Sequence, residues 1–204
     1  MRRTFFGLFA LFAFFGLLAT SCQHSGALRV VSINNGKEVQ SDLVDFGIYR
    51  DPTDPEAEPE LISVTPEDII PIELQYVEIG PGLPTWTPYQ ANITRAQISF
   101  DKKLGELEGN PDPVNVVVNW AVPADPTGKK TVTAYLTICP ALWKEQWFGD
   151  EAANDPTELN AVGTYSARVR LTGIDDASGA TVTAEGTVLV TFGNFFDDES
   201  RIGQ

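Results

Sequence analysis

The 204-residue chain predicts an all-β protein, an antiparallel sandwich of two sheets behind an N-terminal export signal. Three observations carry that reading. Past the first two dozen residues, apolar and polar side chains alternate in short runs. Pro, Gly, Asn and Asp interrupt the runs at the spacing expected of turns. No long stretch has a helical period, so strand follows strand without the helices that a parallel sheet needs.

The N-terminus stands apart. Six of the 12 Phe fall within residues 1–15, and Arg2 and Arg3 precede an apolar run, Phe5 to Ala19. A membrane-spanning helix needs about 20 apolar residues, and this run is shorter. It ends in Thr20, Ser21 and Cys22, a layout of basic start, apolar middle and small residues that marks a cleaved signal peptide.

The stretch Leu18-Ala19-Thr20-Ser21-Cys22 resembles the lipobox of bacterial lipoproteins. It departs from the commonest pattern, having Leu four residues before the Cys and Ala three before. The resemblance covers the targeting segment alone. It implies cleavage after residue 21, thioether-linked lipid on Cys22 and a further acyl group on the new amino terminus. At about 0.8 kcal/mol per buried methylene, several chains hold a protein at a membrane where one does not. Gln23 rather than Asp follows Cys22, which in a bacterium with two membranes implies sorting to the outer one. With Cys22 lipidated, Cys139 is left without a disulfide partner. The competing expectation, a Cys22 to Cys139 bridge in an ordinary secreted protein, leaves the cleavage-site Cys unexplained.

Loss of residues 1–21 removes Arg2 and Arg3 and leaves 12 basic against 28 acidic side chains, a net charge of −16. A surface so negative repels phosphate backbones and has no basic stripe, which argues against nucleic-acid binding and against charge-driven docking on anionic lipid. The body, residues 27–196, has length enough for one large domain with a real core. Residues 22–26 read as a lipidated tether and 197–204 as an acidic tail. A division into two sandwiches near 102–113 is the alternative.

Along the body, Leu28–Ile33 and Lys37–Gln40 flank Asn34-Asn35-Gly36, which predicts a hairpin because Asn and Gly tolerate positive φ. Residues 51–60 hold five acids and three prolines and read as a solvated loop. Ile70, Ile72, Leu74 and Tyr76 share one parity of a strand in which Pro71 predicts an edge position. Pro81–Pro88 is a proline-rich loop carrying Trp86, and Ile93–Phe100 resumes as strand. A loop over Leu104–Pro113 leads to Val114, Val116, Val118, Trp120 and Val122 on one face of a long strand. Val132, Ala134, Leu136 and Ile138 line the next. Tyr165, Ala167, Val169 and Leu171 then pair with a return through Val182, Val188, Val190 and Phe192, turning at Asp175–Gly179. Seven to nine strands in this rhythm resemble immunoglobulin or fibronectin type III-like modules of uncharacterised envelope lipoproteins. The immunoglobulin Cys pair is missing, and the fold itself implies no activity.

Chemistry has few footholds. His24 is the single histidine, beside Cys22 and away from any core, so a Ser-His-Asp or Cys-His machine lacks its base. Zinc sites built on His and Cys pairs are equally short of ligands. Neither phosphate-cradling glycine motif occurs. No cofactor or metal is expected, and no catalytic residue is assigned. Acidic runs at 51–60, 150–158, Asp175-Asp176 and Asp197-Asp198-Glu199 lack the calcium-loop pattern and read as solvated surface.

The distinctive stretch is Pro140–Phe148, where Leu142, Trp143, Trp147 and Phe148 interrupt the strands. Trp143 and Trp147 share a face if the segment is helical, either plugging one end of the sandwich or, with Trp86, offering an exposed platform for glycan or protein. The leading expectation is a non-catalytic binding or structural protein of the bacterial envelope, held to the membrane by lipid on Cys22, with an envelope protein or a glycan as partner. Two others compete. A carbohydrate-binding or adhesive module predicts that Trp86, Trp143 and Trp147 are exposed and coplanar. A carboxylate-based glycoside hydrolase predicts two acids facing across a cleft, about 5–10 Å apart.

Overall fold

The computed structural model describes residues 25–49, 53, 58, 60–79, 89–105, 110–152 and 161–195. The segment 1–21 expected to be a signal peptide, Cys22, His24, Trp86, nearly all of the acidic loop at 51–60 and the tail at 197–204 lie outside them. Over these residues the chain is all-β with one α-helix. In order come β1 (Ser25–Ile33), β2 (Val39–Asp42), β3 (Asp45–Tyr49), β4 (Glu60–Val64), β5 (Asp68–Ile79), β6 (Gln90–Gly105), β7 (Val114–Pro123), β8 (Val132–Cys139), α1 (Ala141–Ala152), β9 (Ala161–Asp175) and β10 (Thr181–Gly193).

Three strands in the order β1-β5-β8 form one sheet, five in the order β2-β10-β9-β6-β7 form another, and β3-β4 form a two-stranded ribbon. Apolar residues of both larger sheets share one buried cluster, including Ile72, Leu74 and Tyr76 of β5, Ile93 and Ile98 of β6, and Val169 and Leu171 of β9. Residues 106–109, inside the stretch considered for a division, lie between β6 and β7, which pair with each other. Buried residues from both sides of that stretch belong to the same cluster.

Three differences from the sequence reading have physical causes. The first hairpin is a sheet switch instead: β1 pairs with β5, while β2 runs parallel to β10, the single parallel ladder among these strands. Asn34, Asn35 and Gly36 all have positive φ (49°, 54° and 74°), a left-handed turn closed by the Lys37 amide on the Asn34 carbonyl at 2.9 Å. Three such residues in a row redirect the chain, whereas a two-residue turn would fold it back on itself.

Second, Pro71 lies in the central strand of its sheet. β1 reaches only as far as Ile33, opposite Ile72, so Pro71 occupies the part of β5 that pairs with β8 alone and spoils no second ladder. Third, β6 breaks its alternation: Thr94 and Arg95 are both exposed between buried Ile93 and Ala96. The registers with β7 and β9 shift at the same point. Gly173 of β9 fits there because a Cβ would come within 2.3 Å of the Asn92 carbonyl oxygen.

Candidate functional site

Helix α1 starts directly after β8, with the Lys144 amide donating to the Pro140 carbonyl at 3.1 Å. Its buried face carries Lys144 and Phe148, four residues apart, while Leu142, Glu145 and Gln146 face solvent. The helix therefore caps one end of the sheets with an aromatic half and an ionic half.

In the aromatic half, Trp143 stacks on Phe100 with ring centroids 4.8 Å apart, and its indole N–H donates to the Asp112 carbonyl at 2.9 Å. Phe148 stacks on Phe192 at 4.6 Å, and Tyr165 meets Phe192 edge-on at 5.6 Å. These contacts settle Trp143 as a plug, half-buried and hydrogen-bonded. Trp147, at 37% exposure, remains at the surface. The two indoles do not make the exposed, coplanar pair that an adhesive platform requires. Trp86 lies outside the described residues.

The ionic half was not anticipated. The Lys144 side chain is fully buried, and its Nζ donates to the Asp42 carbonyl at 2.6 Å and to Asp68 Oδ2 at 3.2 Å. Ser41 Oγ donates to the same Asp68 oxygen at 2.6 Å. Lys144 thus ties β2 of the larger sheet to β5 of the smaller one. A buried ammonium is tolerated because opposite charge and hydrogen bonds replace its lost hydration.

Asp42 sits beside Asp45 in this cluster, both buried. Burial pushes its carboxyl up to about 6, Asp45 adds to the rise, and the Phe195 amide, 3.2 Å from Oδ1, opposes it. Cys139 is also fully buried here, and burial followed by the Asp68 charge drives its thiol far above the usual range, so at neutral pH it is an inert core thiol. The cluster's chemistry is that of a latch.

Next to the latch an open groove of about 460 Å³ is lined by Asn34, Glu38 and Gln40 on one side and Glu67, Asp68 and Ile69 on the other. Asp68 belongs to both features, and its side chain is 14% exposed. Glu38 accepts a hydrogen bond from Thr191, which in turn shares one with Thr164. With Asp68 neutralised by Lys144 from behind, the groove presents amide groups and carboxylates to solvent, a lining that suits a donor-rich ligand.

At the opposite end Asp175, expected on the solvated surface, is buried instead, and so is Asp125. Asp175 accepts from the Tyr76 hydroxyl at 2.6 Å and from the Ala177 amide at 2.8 Å. Burial alone would raise its carboxyl, but these donors hold it below the usual range. Asp125 receives the amides of Thr127, Lys129 and Lys130 at 3.0, 2.8 and 2.6 Å. The Lys130 amide heads the donors that keep it well below the carboxylate norm.

Among the described residues no three His, Cys, Asp or Glu side chains converge as metal ligands, and no helix is long and apolar enough to cross a membrane. Lys144, Ser41 and Asp68 were invisible in the sequence because a lysine between two tryptophans reads as a surface residue. The one available signal was its four-residue spacing to Phe148. No protein-family model matches the chain, and no curated protein matches it either.

Proposed function

We propose that the protein is a lipid-anchored, non-catalytic module of the bacterial cell envelope, held at a membrane, the outer one in a diderm host, through Cys22. The observation that carries this reading is the run from Arg2 to Cys22 followed almost at once by folded chain: β1 begins at Ser25. So short a tether leaves the Ser25 end of the body close to the bilayer. β1 runs nine residues at about 3.3 Å each from Ser25 to Ile33, and the groove and α1 belong to the Ile33 end.

For the body we infer an immunoglobulin or fibronectin type III-like sandwich. Assigning β1, β5, β6, β8, β9 and β10 to strands A, B, C, E, F and G reproduces the neighbours A-B-E and C-F-G, with β7 beside β6 as C′. Such frameworks commonly present ligands at loop ends, and the buried, mutually paired side chains around Lys144 favour a scaffold over a reaction centre.

The test is the intact mass of protein from membranes of cells making the wild type or Cys22→Ser. The expected result is the mass of residues 22–204 plus acyl groups, lost in the variant together with membrane retention. An unmodified mass, or wild-type protein released in soluble form, overturns the reading.

A further inference from the structure

The most exposed large apolar side chain among the described residues is Val117, at 90%, in the middle of β7. β7 is the last strand of the five-stranded sheet and pairs on one side with β6 alone. Its ten residues, Val114-Asn-Val-Val-Val-Asn-Trp-Ala-Val-Pro123, carry no charge at all in a chain of net charge −14. A long, uncharged, β-branched edge with a free row of amides and carbonyls is a template for another strand. Natural sheets usually guard such an edge with lysine, with inward-pointing charge or with a bulge; β7 has neither charge, and its irregularity is confined to Val118-Asn119, set against Thr94 of β6.

Its inner face is also incompletely covered. The larger sheet outruns its three-stranded partner, and Val116, Val118 and Trp120 are only partly buried where they meet the core. Pairing at this edge would extend that face and cover it.

The pattern of β7 says what fits. Read outward from Val117, the neighbours are Val116 and Val118, then Asn115 and Asn119, then Val114 and Trp120. The strand is close to palindromic. Two copies related by a two-fold axis through Val117 set Val117 opposite itself, Asn115 opposite Asn119, Val116 opposite Val118 and Val114 opposite Trp120. Every opposed pair then joins like with like, amide to amide and apolar to apolar, as cross-strand pairing favours. The nearest cation, Arg95 of β6, is turned to Asn115 of its own copy at 2.7 Å. A foreign strand would meet no charge to recognise, whereas a second copy presents this same uncharged strand. We propose that β7 is a homodimer interface, joining two copies of this chain by antiparallel β7–β7 pairing into one continuous ten-stranded sheet.

The experiment places single cysteines in the full-length chain: Val117→Cys, Asn115→Cys and Asn119→Cys, each oxidised and resolved without reductant. Directly opposed Cβ atoms lie about 4.5–5.5 Å apart, near disulfide reach. Val117→Cys is expected to form a covalent dimer well above the wild type, whose own Cys22 and Cys139 set the background. Asn115→Cys and Asn119→Cys alone are expected at background, and to give a dimer only when both variants are made in one cell. In sedimentation of the detergent-extracted protein, Val117→Lys is expected to lose the dimer. Background-level Val117→Cys with a monomeric wild type overturns the proposal. So does Asn115→Cys cross-linking alone as strongly as Val117→Cys, the mark of random collision, or a Val117→Cys adduct whose partner is a different protein.

Discussion

The two ends of the sandwich treat buried carboxylates in opposite ways. Around the turns after β7 and β9, Asp125 and Asp175 are each ringed by backbone amides and hydroxyls and are held ionised below the usual range. Under α1, Asp42 is removed from water beside a second acid. The amides of Phe195, at 3.2 Å, and Val44 do not offset that loss, and its carboxyl rises to about 6. Lost hydration dominates at Asp42, whereas at Asp125 and Asp175 the donors outweigh it, so the balance between burial and donor supply decides the charge. Turns supply donors cheaply, because their amides are not engaged in a ladder. At the helix-capped end Asp68 is served by two side chains, Lys144 and Ser41.

The sharpest way to break the comparison is Lys144→Met, which leaves Asp68 and the Asp42 carbonyl without their cation. Urea unfolding is expected to show a loss of roughly 3–5 kcal/mol, most of it recovered by adding Asp68→Leu, which removes the stranded charge. A single variant no weaker than the wild type would mean that the latch holds nothing.

At the turn end, Tyr76→Phe removes one donor from Asp175 and is expected to cost about 1.5–3 kcal/mol, smaller because the Ala177 amide remains. The same variant should unfold at a higher pH on acidification, since the Asp175 carboxyl moves back toward its ordinary value.

The smallest effect separates the two ends by sign. A raised carboxyl favours the folded state when protonated, so the Asp42 contribution is full below about 4 and is lost as pH climbs through about 6. The lowered carboxyls of Asp125 and Asp175 contribute above about 4 and fade as pH falls below it. Thermal midpoints across the pH range should therefore rise from pH 7 toward 5 and drop below 4. Asp42→Asn, which imitates the protonated acid, should raise the midpoint at pH 7 and flatten the rise while leaving the acid drop intact.

Much of this was legible in the sequence. The parity of Ile70, Ile72, Leu74 and Tyr76, of Val114 to Val122 and of Tyr165 to Leu171 identified β5, β7 and β9, because a half-buried strand leaves a two-residue period that needs no knowledge of its partner. Partners leave no such trace. Asn34-Asn35-Gly36 announces a turn equally well whether the chain returns to its own sheet or crosses to the other, and the Thr94 irregularity shows only against two neighbours at once. The segment at Pro140–Phe148 stood out in the sequence through its aromatic residues, with plug and platform both open. Its ionic half was not, since Lys144 is inside only because Ser41, Asp42 and Asp68, from strands far apart in sequence, converge on it.

The parallel pairing of β2 with β10 carries a consequence for the order of events in time. Residues 39–42 close against 190–193, so the early strand waits for about 150 further residues before its ladder exists. At roughly 5–20 residues per second the delay is roughly 8–30 s of synthesis. Through that interval Val39 and Leu43 have no β10 to bury them. A chain interrupted before β10 would keep this sticky start permanently open, which makes the last strand the one that licenses the first.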